Sequence, residues 1–312
     1  MSFKCFFCYQ SIDSQGMHKT CSREMFGQDQ MPIVDTSQKE MEKFARFFIK
    51  ERIAVTGVQK KLSLHLGTKN SERFTIIGAL GGNYILKPPS EEFGQLPELE
   101  DLTMKLAKVA GIQVALHSLI PMADGKLSFI TKRFDRDKKK KFAQEDACQL
   151  SELLTESKYK SSHEKLGRII AKYSSFPGDD VLRVFELTIF SFLTGNADMH
   201  LKNFSLLKNS KGHYRLSPAY DLVPTRLLLS EREDPEELAL HLNGKKSKLN
   251  RNDFLTYGNY LGIPEKVVMK TIQKLEETIP QMVQWIDNSF LDLDTKKLYK
   301  DLISNRMIRL QN

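Results

Sequence analysis

The sequence predicts an α+β chain of two lobes, a small strand-rich one followed by a larger, mainly α-helical one. Short alternating segments between residues 62 and 134 surround a single helical stripe. Beyond the charge run Asp135-Arg136-Asp137-Lys138-Lys139-Lys140-Lys141, apolar residues recur at helical spacing instead. At 312 residues the chain is long enough for two domains with a sizeable core.

Taken in order, residues 1–36 form a front segment that holds Cys5, Cys8, His18 and Cys21. The small lobe, 37–141, opens with a helix over 37–51, where Met41, Phe44 and Phe48 share a face. Leu62, Leu64 and Leu66 then alternate as a strand, followed by strands at Arg73-Phe74-Thr75-Ile76-Ile77 and Tyr84-Ile85-Leu86-Lys87. Leu99, Leu102, Leu106 and Val109 place a helix over 97–110, acidic at its start and with Gly111 just beyond. Two strands follow, at 113–120 and 127–134, joined by the turn Ala123-Asp124-Gly125. In the large lobe, 142–312, residues 179–194 are apolar nearly all round, the mark of a central buried helix. Val268, Ile272, Leu275, Ile279, Met282 and Ile286 give a second stripe near the end.

Composition narrows the function classes. Hydrophobic residues at 40% and charged ones at 28% exclude wholesale disorder. No apolar run reaches the roughly 20 residues of a membrane span, and the first residues lack a signal-peptide core, so the expected address is the cytoplasm, with no membrane partner. In a reducing compartment clustered cysteines read as metal ligands or core, not as disulfides. The net charge of +8 asks for an anionic partner, nucleic acid first and a nucleotide second.

Chemistry concentrates in Gly195-Asn196-Ala197-Asp198-Met199-His200-Leu201-Lys202-Asn203, directly after the buried helix. Asp198 and Asn203 have the Asp-x4-Asn spacing of a protein-kinase catalytic loop, in which the Asp takes the substrate hydroxyl proton and the Asn holds Mg²⁺. The competing reading is a polar helix-to-strand turn capped by the same two residues. A hairpin of Phe204–Leu207 with His213–Leu216 would bring Asp221 beside Asn203, where a second hard oxygen ligand for Mg²⁺ belongs, although no Asp-Phe-Gly is present. In the small lobe Lys87 is the candidate phosphate-binding lysine, with Glu98 or, preferably, Glu100 as its acidic partner. Neither G-x-G-x-x-G nor a P-loop occurs. The single-glycine turn Thr56-Gly57-Val58-Gln59-Lys60 stands in that place and offers backbone amides and a lysine to phosphates.

These blocks together resemble the HipA family of toxin Ser/Thr kinases. The matching segments are T-G-V-Q-K-K-L-S, Y-I-L-K-P, K-R-F-D-R, Q-E-D-A-C-Q, G-N-A-D-M-H-L-K-N-F-S and A-Y-D-L, in the family's order over roughly residues 50–310. The resemblance implies a bilobal protein-kinase-like fold and transfer of the ATP γ-phosphate to a protein. By position it makes Lys87 a phosphate ligand, the Arg133–Phe134 backbone the adenine hinge, Asp198 the catalytic base, and Asn203 and Asp221 the Mg²⁺ ligands. His200 and Lys202 become further phosphate candidates, and Gln144-Glu145-Asp146 a structural block. The short front segment is similar to the HipT type, which works with a separate HipS-like protein and a DNA-binding HipB-like protein, so that DNA is met only through the latter. By the same analogy the substrate is an aminoacyl-tRNA synthetase and the outcome is arrested translation. Relatives autophosphorylate in the glycine loop. Here Ala54 occupies one of the two usual positions, which leaves Thr56 as the expected autophosphorylation site.

Cys5-x2-Cys8-x9-His18-x2-Cys21 has the pattern of a Cys3His zinc site. The alternative is apolar packing of Cys5 and Cys8 beside Phe3, Phe6 and Phe7, with His18 on the surface. For the whole chain, the rival to a kinase is a catalytically silent protein that binds nucleic acid or an antitoxin.

Overall fold

The computed structural model describes residues 3–40, 61–67, 72–76, 82–137 and 140–312. Residues 38–40 are helical, and Ser37 and Glu40 cap each other reciprocally through Ser37 N to Glu40 Oε2 at 2.8 Å and Glu40 N to Ser37 Oγ at 3.4 Å. The remainder of the helix expected over 37–51, and Thr56, Gly57, Val58, Gln59 and Lys60, lie outside the described residues.

The chain forms two compact units. The first comprises residues 1–102, 115–133 and 288–290, and it is built on an antiparallel five-stranded sheet. Its strand order is Phe74–Ile76, Leu62–Leu66, Tyr84–Lys87, Leu127–Lys132, His117–Pro121. Alternation sets the register, with Leu62 opposite Leu86 and Leu64 opposite Tyr84. Gly82 turns the chain between strands at φ +80°, and a Cβ there would lie 2.3 Å from the Leu64 carbonyl oxygen, so only glycine fits. The front segment packs on this sheet. Phe26 of helix Lys19–Phe26 stands edge-on to Phe74 and tilted against Tyr84, and the Tyr84 hydroxyl donates to the Met25 carbonyl.

The strand expected at 113–120 begins only at His117 and ends at Pro121. Gln113 and Val114 are drawn into the second unit instead, where Ala219 N donates to Gln113 O and Val114 bridges Ala219 in parallel. The following strand is Leu127–Lys132, so Arg133 and Phe134 lie just beyond it.

The second unit comprises residues 103–114, 134–287 and 291–312 and is mainly helical. Its central helix is Pro177–Thr194, with proline in the first turn and Asp179 and Asp180 near the positive end of the dipole. Asp180 is fully buried and accepts from Ser174 Oγ, Arg183 and the Leu216 amide, which satisfies a charge otherwise costly to bury. Gly195 ends the helix in the left-handed region, at φ +73°, and a Cβ there would meet Arg226 Cβ at 2.8 Å. Phe185, Phe190, Phe192, Phe254, Tyr257 and Tyr299 are buried around this helix and form the core with helices Arg251–Tyr260, Glu265–Asn288 and Leu293–Gln311. Gln144–Asp146, Ser205–Lys208 and Tyr214–Leu216 form a small antiparallel sheet beside it. No helix among the described residues is long and apolar enough to cross a membrane.

Candidate functional site

The loop after Gly195 is shaped by its own polar groups. Asn196 Oδ1 accepts from Asp198 N at 3.1 Å, Ala197 N donates to Thr225 Oγ1 at 2.9 Å, and Asn203 Nδ2 donates to the Asp198 carbonyl at 3.1 Å. Leu201–Asn203 is one 3₁₀ turn, which lets the chain enter strand Ser205–Lys208 with Asn203 buried below Asp198. Asp198 and Asn203 do not cap a helix. The cap residue of the turn is His200, and its side chain makes no capping bond.

Asp198 itself is half-buried, and its Oδ1 accepts from the Tyr159 hydroxyl at 2.5 Å. Tyr159 lies just past the turn Thr155–Ser157, and its ring stands edge-on to His200 at 5.0 Å. Burial, and next the Asp198 carboxylate, push the Tyr159 phenol well above its ordinary range, so it remains a neutral donor. Nothing in the sequence marked Tyr159, which stands 39 residues from Asp198 with no motif around it.

His200 is buried, and its Nδ1 has no hydrogen-bond partner among the described residues. Burial lowers its pKa while the Asp198 and Asp221 carboxylates oppose that shift, so the ring is neutral at pH 7. Both carboxylates therefore act on one small region. Asp221 reaches it through the hairpin Ser205–Lys208 and Tyr214–Leu216, closed by Asn209 Oδ1 accepting from the amides of Lys211 and His213. Asp221 adopts φ +62°, a left-handed conformation that aspartate tolerates better than most residues. Its neighbour Tyr220 donates to the Lys202 carbonyl at 2.8 Å, which ties the Asp221 segment to the Asn203 turn.

Lys202 Nζ lies 3.3 Å from Asp146 Oδ2. Asp146 also caps helix Ala147–Leu150, accepting from Gln149 N, while Gln149 reaches back to Asp146 N. The block Gln144-Glu145-Asp146 is thus both an edge strand paired with Leu207, Leu206 and Ser205 and the anchor of Lys202. Phe134 leans on Tyr220 with ring centroids 5.6 Å apart.

The first unit carries a second polar cluster. Lys87, at the end of strand Tyr84–Lys87, places Nζ 2.7 Å from Glu100 Oε1 and 5.5 Å from the centre of the Phe129 ring. Glu100 is fully buried in helix Leu96–Val109. Glu98, the other acid considered for Lys87, is raised to about 7 by burial and then by Asp101. Arg133 N donates to the Asn83 carbonyl at 2.8 Å.

Two hard oxygens, Asn203 Oδ1 and the Asp221 carboxylate, are of the kind that suits Mg²⁺, and Asn203 Oδ1 takes no part in the Nδ2 bond to the Asp198 carbonyl. Asp198 Oδ1 accepts from Tyr159, and Oδ2 takes no part in that bond.

The family model described as the HipA-like C-terminal domain matches residues 53–283. A protein of Haemophilus influenzae named as a putative kinase is 29% identical over 257 residues, covering 74% of this chain and 72% of its own length. The Ser/Thr-protein kinase toxin HipA of Shewanella oneidensis is 26% identical over 75% of this chain, which spans 57% of that toxin. The solved structure of Shewanella oneidensis HipA with HipB and operator DNA superposes with a TM-score of 0.71 at 24% identity, covering 83% of this chain and 65% of that one.

Proposed function

The chain belongs to the HipA-like family, and on that premise we propose that it is an ATP- and Mg²⁺-dependent Ser/Thr protein kinase, the toxin of a toxin–antitoxin module. The observation that carries this reading is the Asp198 loop: a carboxylate with one oxygen fixed by Tyr159, its backbone carbonyl bonded by Asn203, and a second carboxylate, Asp221, whose segment Tyr220 ties to the Asn203 turn.

In this reading a Ser or Thr hydroxyl attacks the γ-phosphorus, its O–P bond forms as the bond to ADP breaks, and its proton passes to Asp198 Oδ2. Asn203 and Asp221 would hold Mg²⁺, which when bound neutralises charge on the phosphates. Lys87, steered by Glu100, serves the phosphates, and the backbone of Arg133–Phe134 serves the adenine. Lys202 would reach a phosphate by exchanging its Asp146 partner, and neutral His200 would offer a ring N–H. Thr56 to Lys60 complete the nucleotide contacts, with Thr56 as the autophosphorylation site. By family analogy the protein substrate is an aminoacyl-tRNA synthetase, HipS-like and HipB-like proteins are the antitoxin partners, and the setting is the cytoplasm.

Incubation with γ-labelled ATP and Mg²⁺ is expected to label the chain, with the phosphate mapped by mass spectrometry to Thr56. Absence of both nucleotide binding and label would refute the kinase, and label elsewhere would refute Thr56. Phosphoproteomics after induced expression, set against an inactive Asp198 variant, identifies the protein substrate.

Tyr159 gives a second expectation. Its loss leaves the Asp198 carboxylate free to rotate, and small misplacements of a reacting group are costly. Tyr159→Phe should lower kcat about tenfold, equivalent to ~1.4 kcal/mol, with KM for ATP unchanged. Steady-state kinetics decide it, and an unaltered kcat would remove Tyr159 from the site.

A further inference from the structure

The front segment carries a cluster that phosphate transfer does not use. Cys5 Sγ, Cys8 Sγ, His18 Nδ1 and Cys21 Sγ all lie within 4.8 Å of one another, and the cysteines are free thiols. His18 Nδ1 stands 3.4 Å from Cys8 Sγ and 3.8 Å from Cys21 Sγ. A tetrahedron with Zn–S of about 2.3 Å and Zn–N of about 2.0 Å has S···N edges of about 3.5 Å and S···S edges of about 3.8 Å. The two His18 separations bracket the S···N edge, and every other pair of ligand atoms lies within 4.8 Å, close to the size of such a tetrahedron.

The other ring nitrogen provides an independent observation. His18 Nε2 lies 3.1 Å from the Ser11 carbonyl, which can only accept, so the proton belongs on Nε2. The Nδ1 lone pair is then directed at the sulfurs, the orientation that a backbone carbonyl imposes on a zinc-bound histidine. Local structure supplies the rest. Tyr9 in the left-handed region, with its amide donating to Cys5 O, closes the Cys5–Cys8 turn. His18 caps helix Lys19–Phe26, so Cys21 follows within its first turn and faces the same point. Plain apolar packing would call for none of this convergence, and it would leave His18 pointing elsewhere.

The cluster is also wired into the sheet and helix of the first unit. Tyr9, next to Cys8, donates to Asp101 Oδ2 at 2.6 Å, and Asp101 Oδ1 meets His117 Nδ1 at 2.7 Å. The Phe6 carbonyl accepts from Ser118 Oγ, and the rings of Phe6 and Tyr9 pack against Phe290. Asp101 is the residue after Glu100, the partner of Lys87.

We infer that Cys5, Cys8, His18 and Cys21 bind one structural Zn²⁺, and that the turn it fixes braces the start of helix Leu96–Val109 through the Tyr9–Asp101 bond. Closed tetrahedral coordination by four protein ligands leaves no open position, so the metal's role is structural and not catalytic. The helix concerned is the one that presents Glu100 to Lys87, so the metal would set the firmness of that pair from a distance.

The full chain, purified under reducing conditions without added metal, is expected to carry about one zinc by elemental mass spectrometry. Co²⁺ exchanged into it should show the visible bands of a tetrahedral thiolate site. Cys8→Ser and His18→Ala should lose the metal, and His18→Cys should keep it. Stripping zinc from the wild-type chain should speed hydrogen exchange at the Leu99 to Leu102 amides at least tenfold, and Tyr9→Phe should do so with zinc retained. A wild-type chain that takes up neither Zn²⁺ nor Co²⁺, or full zinc retention in both ligand variants, would overturn the site. Unchanged exchange after stripping would overturn the bracing. If a ligand variant fails to fold, chelation of the wild-type chain carries the test. Every readout is independent of phosphotransfer, so failure of the kinase reading and failure of this one are distinguishable.

Discussion

Asp198→Asn is expected to reduce phosphate incorporation by about 10²–10⁴-fold, the range a positioned general base contributes. At a thousandfold that is ~4 kcal/mol of transition-state stabilisation. The substitution is chosen for what it keeps. An asparagine Oδ1 still accepts from the Tyr159 hydroxyl, and the bonds from Asp198 N to Asn196 Oδ1 and from Asn203 Nδ2 to the Asp198 carbonyl use only backbone atoms of residue 198. Loop geometry, thermal stability and Mg-ATP affinity should therefore stay close to wild type while the proposed proton acceptor is lost. Initial rates with labelled ATP, paired with thermal shift in Mg-ATP, separate these effects. A rate within about threefold of wild type would remove Asp198 from the chemistry. A matching loss of ATP affinity would mean that the residue acts in binding instead.

Sequence legibility divided along physical lines. The helix expected at 179–194 is found as Pro177–Thr194, because an apolar face sustained over several turns can be satisfied in few ways. The hairpin before Asp221 was readable from Asn209 to Gly212, since turn chemistry is local. The Asp198–Asn203 spacing was readable for the same reason, and so was the Cys/His cluster. What escaped depends on partners remote in the chain. Gln113 and Val114 have strand-like character, but Ala219 pairs with them, so the strand starts late. Lys202 reads as a free phosphate ligand until Asp146, 56 residues earlier, is placed beside it. Tyr159 sits among polar residues in a turn, and only the folded chain brings its hydroxyl to Asp198. The charge of +8 suggested nucleic acid, yet several cations are engaged within the protein, Lys87, Lys202, Arg215 and Arg309 among them.

The second large effect falls on stability as well as activity. Lys87 and Glu100 form an ion pair at 2.7 Å whose side chains are 9% and 0% exposed. Removing one member of such a pair takes from the other charge an ion-pair partner in a site shielded from water, at a cost of about 3–5 kcal/mol, against a typical total of roughly 5–15. Lys87→Met should be the more damaging single change. It leaves a carboxylate with no exposure at all, whereas Glu100→Leu leaves an ammonium at the sheet end, where it also faces the Phe129 ring. The double variant Lys87→Met/Glu100→Leu removes both charges and fills the space with apolar atoms, so most of the lost stability should return. Phosphotransfer should not return if Lys87 and Glu100 serve the phosphates as proposed, since neither the ammonium nor the carboxylate remains. Urea unfolding of the three variants, followed with labelled-ATP rates on each, gives both answers. Equal destabilisation of the double variant and the worse single variant would mean that the pair is not a closed unit. Recovery of activity with stability would mean that Lys87 serves the fold alone.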